Sequence, residues 1–421
     1  MNKSAVIIGK LVRALSRLRG GGSALPGLVV EKIDPNFMVD VLRKLPYGVA
    51  VVSGTNGKTT TTKIAADLLK SQGLRVFTNK TGSNFTRGVV SAMLGDIKNF
   101  KFDFDIAVLE LDEAHAVKFV EQVRPNYALL LNVLRDQLDR FGEIDKTAKL
   151  LAEVAKNTAK IVVLNREDPL VAAISCCLPR SIKVVNYGYV PKLAGFFPND
   201  DELHSGVGKL KKSSAKADVE LKSFTDSHAV FEINGRNYST EIAISGAHNL
   251  FNAAGALALV RAIFGSKTDD KKLTKSLRKV EPAFGRGEKL LINQTPIELI
   301  LVKNPAGFRL SLKSQYSAAA DVLIAINDHY ADGRDMSWLW DVDFRTLKSV
   351  GVVSGIRAYD MALRLKYDDV KIGLVESDFK KAVKEFLSQN SRQPKQIFCT
   401  YTAMLTIRKI LSKLDKVERA L

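Results

Sequence analysis

Ser53-Gly54-Thr55-Asn56-Gly57-Lys58-Thr59-Thr60 directly follows the apolar run Tyr47-Gly48-Val49-Ala50-Val51-Val52. A buried strand, a glycine-bearing turn and a helical stretch from Lys63 to Leu69 form the order that cradles nucleotide phosphates. Gly54 and Gly57 let the backbone turn its N–H groups toward a polyphosphate. Lys58 supplies a point charge to the outer phosphates, and Thr59 a hydroxyl for Mg²⁺. The strict pattern G-x-x-x-x-G-K-[ST] is not met, because Val52 stands where its first glycine belongs. That departure narrows the family of loops without removing the chemistry.

The chain has 421 residues, long enough for two to four domains each with its own core. Hydrophobic residues make up 46% and charged residues 26%, a balance that excludes disordered and fibrous classes. No apolar run approaches the roughly 18 residues that span a bilayer, so the expectation is a soluble or peripheral protein. Only Cys176, Cys177 and Cys399 occur, which leaves no disulfide framework and no Cys-x-x-Cys metal pattern. A reducing cytoplasm is the compartment that fits. The net charge of +18 suits nucleic acid, an anionic membrane surface or an anionic substrate, and charge alone does not choose. Lys3, Lys10, Arg13, Arg17 and Arg19 lie among Val6, Ile7, Ile8, Leu11, Val12, Leu15 and Leu18 at near-helical intervals. This basic amphipathic segment reads either as a helix packed on the body or as a membrane-surface helix.

Past the Gly20–Gly27 loop, apolar strands at Asp105–Leu109, Tyr127–Leu131 and Lys160–Leu164 alternate with amphipathic stretches. Such alternation predicts a mainly parallel α/β sheet with its chemistry at the carboxyl edge. Residues 187–240 break the rhythm and read as a β-rich insertion, with a hairpin over Ala229–Tyr238 turning at Asn234-Gly235. A second rhythm follows Arg286, with strands at Ile297–Val302, Val322–Ile326, Ser349–Val353, Ile372–Val375 and Gln396–Cys399. The resulting division is an N-terminal segment 1–45 packed on a central domain 46–288, and a Rossmann-like domain 289–421 that lacks a dinucleotide fingerprint.

Four further segments join the loop. Val108-Leu109-Glu110-Leu111-Asp112-Glu113 places carboxylates just past a strand end, where a Mg²⁺ beside a γ-phosphate could be held. Asn132-x₃-Asp136-x₂-Asp139-Arg140, Asn165-x₂-Asp168-Pro169 and Gly246-x-His248-Asn249-x₂-Asn252 follow in order. Together with Gly54-Thr55-Asn56-Gly57-Lys58-Thr59 they resemble the Mur ligase family of ATP-dependent amide-forming enzymes, over about 47–288. Outside that core, Asp332-Gly333-Arg334-Asp335-Met336-Ser337-Trp338-Leu339-Trp340-Asp341-Val342-Asp343-Phe344 and Val302-Lys303-Asn304-Pro305-Ala306-Gly307 are similar to the branch of the family that amidates lipid II.

The resemblance implies an α/β protein: a Mur-ligase-like central P-loop ATPase domain with a parallel-rich sheet and small β-rich insertion, then a Rossmann-like domain. It implies that ATP phosphorylates the α-carboxylate of D-glutamate in the lipid II stem peptide. Ammonia then attacks the acyl phosphate to give D-isoglutamine. A GatD-type glutaminase subunit, in a heterodimer, would supply the ammonia and carry the nucleophilic cysteine. The implied location is cytoplasmic, at the inner face of the membrane with peripheral contact. By motif, Gly54, Thr55, Asn56, Gly57, Lys58, Thr59 and Thr60 hold the phosphates of ATP, with Lys58 catalytic. Thr59 and Glu110 hold Mg²⁺, and Asn165, Asp168, Asn252 and Arg286 contact the nucleotide. Asp341 or Asp335 is expected to complete the partner's Cys-His pair, and the sequence does not separate them.

Three departures qualify the resemblance. Gln137 stands where most of the family has a histidine metal ligand. Lys149 has altered spacing for the family's carbamylated lysine. The four-cysteine zinc ribbon common in this branch has no cysteine in 187–240, so no zinc is expected there. Two rivals remain: a stand-alone Mur-type or folylpolyglutamate-synthase-like amino-acid ligase, and a basic P-loop protein binding nucleic acid. The second lacks any basic motif interleaved with aromatics, and no nucleic-acid partner is expected.

Overall fold

The computed structural model describes residues 2–18, 24–79, 85–134, 144–197, 215–225, 227–243, 246–280, 286–292, 294–314, 316–389 and 393–414. The apolar run before the phosphate loop is β1 (Val49–Ser53), buried at every position. Its alternation decides the layering. Val49 and Val51 face one core and Ala50 and Val52 the other, so helices cover both faces of the sheet.

Around β1 lie β2 (Val76–Phe77), β3 (Ile106–Glu110), β4 (Tyr127–Leu130), β5 (Ile161–Asn165), β6 (Lys183–Tyr189), β7 (Val219–Phe224), β8 (His228–Ile233) and β9 (Arg236–Glu241). They form one nine-stranded sheet in the order β2-β3-β1-β4-β5-β6-β7-β8-β9. Pairing is parallel from β2 to β7 and antiparallel across β7-β8-β9. Of the 187–240 stretch, β7, β8 and most of β9 are therefore joined to the main sheet, with β7 extending it beside β6. The hairpin turns at Asn234-Gly235, where both φ angles are positive, 50° and 80°. That backbone matches the twist of a two-residue hairpin.

Helix Ala247–Phe264 crosses one face, with most of its residues buried against that sheet. The segment Ala247–Lys267 is long and apolar enough to cross a membrane by length and composition. This corrects the expectation that no such run exists; here the apolar residues serve a core, which wraps the helix on nearly all sides. On the other face, α1 (Lys3–Leu18), α2 (Leu25–Ile33) and α3 (Phe37–Leu42) bury Ala5, Val6, Val30, Phe37, Met38, Val41 and Leu42. They pack with α5 (Thr86–Asp96), whose Val89, Val90, Met93 and Leu94 join the same core.

The second sheet begins at Arg286, inside the expected central domain. It contains β10 (Arg286–Ile292), β11 (Thr295–Leu301), β12 (Asp321–Ala325), β13 (Ser349–Ser354), β14 (Lys371–Val375) and β15 (Lys395–Cys399), in the order β10-β11-β15-β12-β13-β14. Only β10 runs antiparallel to its neighbour. Helices 305–314 and 358–367 contribute to one core and helices 379–388 and 401–411 to the other.

Gly27 marks the tightest helix contact, because a Cβ there would run into the Arg87 carbonyl oxygen of α5. Alanine favours a helix over glycine by about 1 kcal/mol, whereas overpacking costs about 1–3 kcal/mol and a backbone carbonyl has no rotamer to escape to. Gly27→Ala therefore lowers the thermal unfolding midpoint, while Gly195→Ala, with open space around it, does not. Equal midpoints for the two variants in calorimetry would contradict the α2–α5 crossing.

Candidate active site

The phosphate loop leaves β1 at Ser53 and enters α4 (Lys58–Ser71) through Gly57. Gly54 and Gly57 have φ of 134° and 89°, backbone that L side chains rarely adopt. A Cβ on Gly57 would also lie 2.6 Å from Asn252 Oδ1, so the helix Ala247–Phe264 presses on the loop at this residue.

Asn132, the second residue past β4, holds the loop in place. Its carbonyl accepts from Thr55 N (2.9 Å), its Oδ1 from Asn56 N (2.9 Å), and its Nδ2 donates to Asn56 O (3.0 Å). Thr55 Oγ1 accepts from Leu134 N at 3.1 Å. Lys58 is buried, and its Nζ donates to Gly54 O (2.5 Å) and Thr55 O (3.2 Å) and pairs with Glu113 at 3.4 Å. Glu113 opens α6 (Glu113–Gln122) and is itself buried.

The parallel register sets Glu110 of β3 opposite Val52 of β1, one residue before the loop. Thr59 Oγ1 then donates to Glu110 Oε1 at 2.8 Å. Asn79 fixes the main chain of Glu110 by a reciprocal pair, 2.9 Å to its N–H and 2.7 Å from its carbonyl. A hydroxyl and a carboxylate on rigid elements are hard oxygen donors of the kind that suit Mg²⁺. No cluster of three or more His, Cys, Asp or Glu side chains able to hold a metal exists among the described residues. Thr59 and Glu110 would hold a Mg²⁺ here only together with ligands from outside the protein.

Asn165 ends β5 and Asp168 follows it, and both reach the same space with their side chains engaged. Asn165 Nδ2 donates to Leu131 O at 2.7 Å. Asp168 accepts from Leu170 N and Val171 N, both at 3.0 Å, as an N-cap, and from Val133 N at 2.7 Å. Beneath them burial pushes the Tyr187 phenol well up, with the Asp168 charge adding to it.

The second sheet closes the space. Asn56 Nδ2 donates to Asn304 Oδ1 at 3.5 Å and Asn304 Nδ2 to Asn56 Oδ1 at 3.1 Å. Asn304 Oδ1 also accepts from Gly307 N at 2.7 Å, at the start of helix 305–314. Asp332 is 2% exposed and accepts from Thr402 N at 2.7 Å and from the Thr402 hydroxyl at 2.5 Å. The result is a cavity of about 750 Å³ lined by Thr55–Thr60, Glu110, Asn165, Asp168, Asn252, Asn304 and Asp332.

Residues 52–260 match the family model described as Mur ligase middle domain, and residues 301–404 the model described as MurT ligase C-terminal. The MurT subunit of lipid II isoglutaminyl synthase (glutamine-hydrolyzing) from Streptococcus pneumoniae is 30% identical, over 96% of this chain and 95% of its own. The chain belongs to the MurT branch of the Mur ligase family. With the family comes membership of the ATP-dependent ligases. The MurT subunit from Staphylococcus aureus is 31% identical over 90% of this chain and 91% of its own. Among solved structures, a pseudomurein peptide ligase type C from Methanothermus fervidus superposes with a TM-score of 0.68 at 18% identity, covering 90% of this chain and 81% of its own. MurF ligase from Thermotoga maritima in complex with ADP gives 0.66 at 19% identity, covering 89% and 81%. Both carry the same fold.

Of the sequence-predicted residues, Thr55–Thr60, Glu110, Asn165, Asp168 and Asn252 come together around one cavity, and His248 lines it as well. Gly54 shapes the loop through its backbone. Arg286 starts β10, and its side chain, like Gln137 and Asp139, lies outside the described residues. Lys149 is exposed on helix 144–156 and does not line the cavity. Asp335 and Asp341, expected to serve a partner's Cys-His pair, do not line the cavity. Asp341 is exposed at the end of the 3₁₀ turn Ser337–Asp341. Hydrogen bonds from the Ser337 side chain and N–H hold the Asp335 carboxyl below the usual range. Asn132, Asn304 and Asp332 carry no role in the sequence reading, and Glu113, read there among carboxylates suited to Mg²⁺, pairs instead with Lys58. Each sits within two residues of a strand end, a helix start or a glycine turn, which is a position signal that side-chain type alone does not supply.

Two outcomes test this geometry. Asp168→Ala removes three N–H acceptors and lowers the unfolding midpoint, by a stability loss of about 1–3 kcal/mol. Asn132→Ala, which loosens the loop by two side-chain hydrogen bonds, weakens ATP binding about tenfold in titration calorimetry. An unchanged Kd would remove Asn132 from the nucleotide site.

Proposed function

We propose that this chain is the synthetase subunit that amidates the α-carboxylate of D-glutamate in the lipid II stem peptide, with ammonia from a GatD-type glutaminase. The observation that carries the reading is the shared cavity: a phosphate loop with Lys58 on one wall, and Asn304 and Asp332 of the second sheet on the other. An ATP bound at the loop faces an acceptor held from the second sheet.

In the first step a carboxylate oxygen of the acceptor attacks the γ-phosphorus, the bond to the bridging oxygen breaks, and ADP leaves. Ammonia then attacks the acyl carbon, loses a proton, and inorganic phosphate departs with the second C–O electron pair. Lys58 and the N–H groups of the loop stabilise charge on the transferring phosphoryl group. Glu113 holds the Lys58 ammonium between 2.5 Å from Gly54 O and 3.4 Å from its own Oε2. Mg²⁺, held by Thr59 and Glu110, would offset charge on the phosphate oxygens. In this reading glutamine hydrolysis falls to the partner; none of the described residues lining the cavity is a cysteine, and burial holds the Cys399 thiol well above its ordinary range. The exposed Asp341, beside half-exposed Trp340, is available to such a partner. The chain works in the cytoplasm at the inner membrane face, where the lipid-linked acceptor is found.

Purified chain with a GatD-type glutaminase, lipid II, ATP and Mg²⁺ is expected to transfer the label of amide-¹⁵N glutamine to the stem peptide. Lys58→Ala reduces that rate by about 100-fold or more. Incorporation of a free amino acid in place of ammonia would turn the reading to a stand-alone ligase, and full activity of Lys58→Ala would overturn the mechanism.

A further inference from the structure

We propose that α1 and the neighbouring turn Lys98–Lys101 form a docking surface for an anionic lipid bilayer. One face of α1 is already committed to the body. Ala5, Val6, Gly9 and Ser16 are buried, and a Cβ on Gly9 would lie 2.5 Å from Val30 and 2.8 Å from Leu94. Lys10 Nζ donates to Ile97 O at 2.6 Å, and the Arg13 guanidinium lies against Gly95. The helix is therefore held in one orientation.

Its opposite face is as apolar as the docked one. Ile7, Leu11, Leu15 and Leu18 recur at helical spacing, and Leu11, Leu15 and Leu18 are 60%, 59% and 84% exposed. Ile8 adds to the stripe. No acidic residue occurs in α1, and Lys3 and Lys10 stand exposed beside the stripe.

A second observation lies in another segment. In Lys98-Asn99-Phe100-Lys101 the two lysine backbones bond reciprocally, at 3.1 and 2.8 Å. Asn99 and Phe100 have φ of 48° and 56°, and a bulky aromatic seldom occupies left-handed backbone. The turn thereby lifts Phe100 to its tip, 40% exposed, with the Lys3 ammonium 5.7 Å from its ring. Lys98 and Lys101 flank it, both exposed.

The raised aromatic and its lysines lie beside α1, joined to it through the Lys3–Phe100 contact and the bond from Lys10 to Ile97 O. A second copy of this chain would cover the stripe but would meet the lysines with the same charge, in a chain of net charge +18. An anionic bilayer meets both needs, since acyl chains take the apolar residues and headgroups the lysines. Such a surface would bring the cavity to a lipid-linked acceptor; the surface itself rests on α1 and its turn, independently of the acceptor's identity.

The test is flotation of the full chain with vesicles, in the absence of nucleotide and acceptor, so its failure is separate from that of the amidation reading. The chain floats with phosphatidylcholine vesicles carrying phosphatidylglycerol at about a third of the lipid, and several-fold less with phosphatidylcholine alone. Leu11→Glu with Leu15→Glu abolishes flotation without moving the thermal midpoint, because both side chains are exposed. Lys98→Glu with Lys101→Glu, in a separate element, weakens it several-fold, and Leu363→Glu on helix 358–367 leaves it unchanged. Absence of wild-type flotation, or equal flotation of the Leu11/Leu15 variant, overturns the proposal. So does sedimentation showing a dimer that this variant splits, with no vesicle binding.

Discussion

A loop that cradles phosphate has to hold its shape before any phosphate arrives, since backbone ordering costs roughly 1–2 kcal/mol per residue. In this chain that order is imposed from a neighbouring strand. Asn132, leaving β4, satisfies both amide groups of Asn56 and one of Thr55, and Thr55 in turn accepts from Leu134. The loop is thereby bound to the sheet at two successive residues. Lys58 follows from it, because its ammonium is held by carbonyls of that same ordered turn.

From the loop the second sheet takes its position. Asn56 bonds Asn132, past β4, through its backbone, and Asn304 through its side chain in a reciprocal amide pair. Asn304 is fully buried and also caps the helix that starts at Pro305. One short residue thus touches the nucleotide wall and the start of the second domain's first helix. The Asp332–Thr402 contact on the far wall is similarly local, joining the loop after β12 to the helix after β15.

Strands and loop were legible because their patterns are short-range. β1, β3, β4 and β5 are each a continuous apolar run, as parallel strands buried on both faces are. The edge was harder. There β7, β8 and β9 alternate polar and apolar because they have one face in the core, a different pattern from the continuous runs of the parallel strands and the one that reads as β-rich. Helix Ala247–Phe264 misled in another way, since burial on nearly every side erases the polar stripe that marks a surface helix. Site residues recognised by motif were those whose side-chain type is demanded by phosphate or metal. Asn132, Asn304 and Asp332 act on other protein groups, as Glu113 does on Lys58, so only the three-dimensional arrangement reveals those roles.

The cavity's own side chains do not favour an anion. Among the described residues, Glu110, Asp112, Glu167, Asp168 and Asp332 line it against Lys58 and Lys303. The excess of basic residues lies elsewhere. What opposes the carboxylates is main chain: helices beginning at Lys58, Glu113, Ala247 and Pro305 all have first-turn residues in the cavity wall. Each helix start carries roughly half a positive charge. Peptide dipoles have no proton to lose, so this part of the field keeps the same strength at every pH at which the fold survives. Any pH response of nucleotide binding is then left to the ionisable side chains of the wall, where His115 and His248 stand with the carboxylates, and to the nucleotide itself.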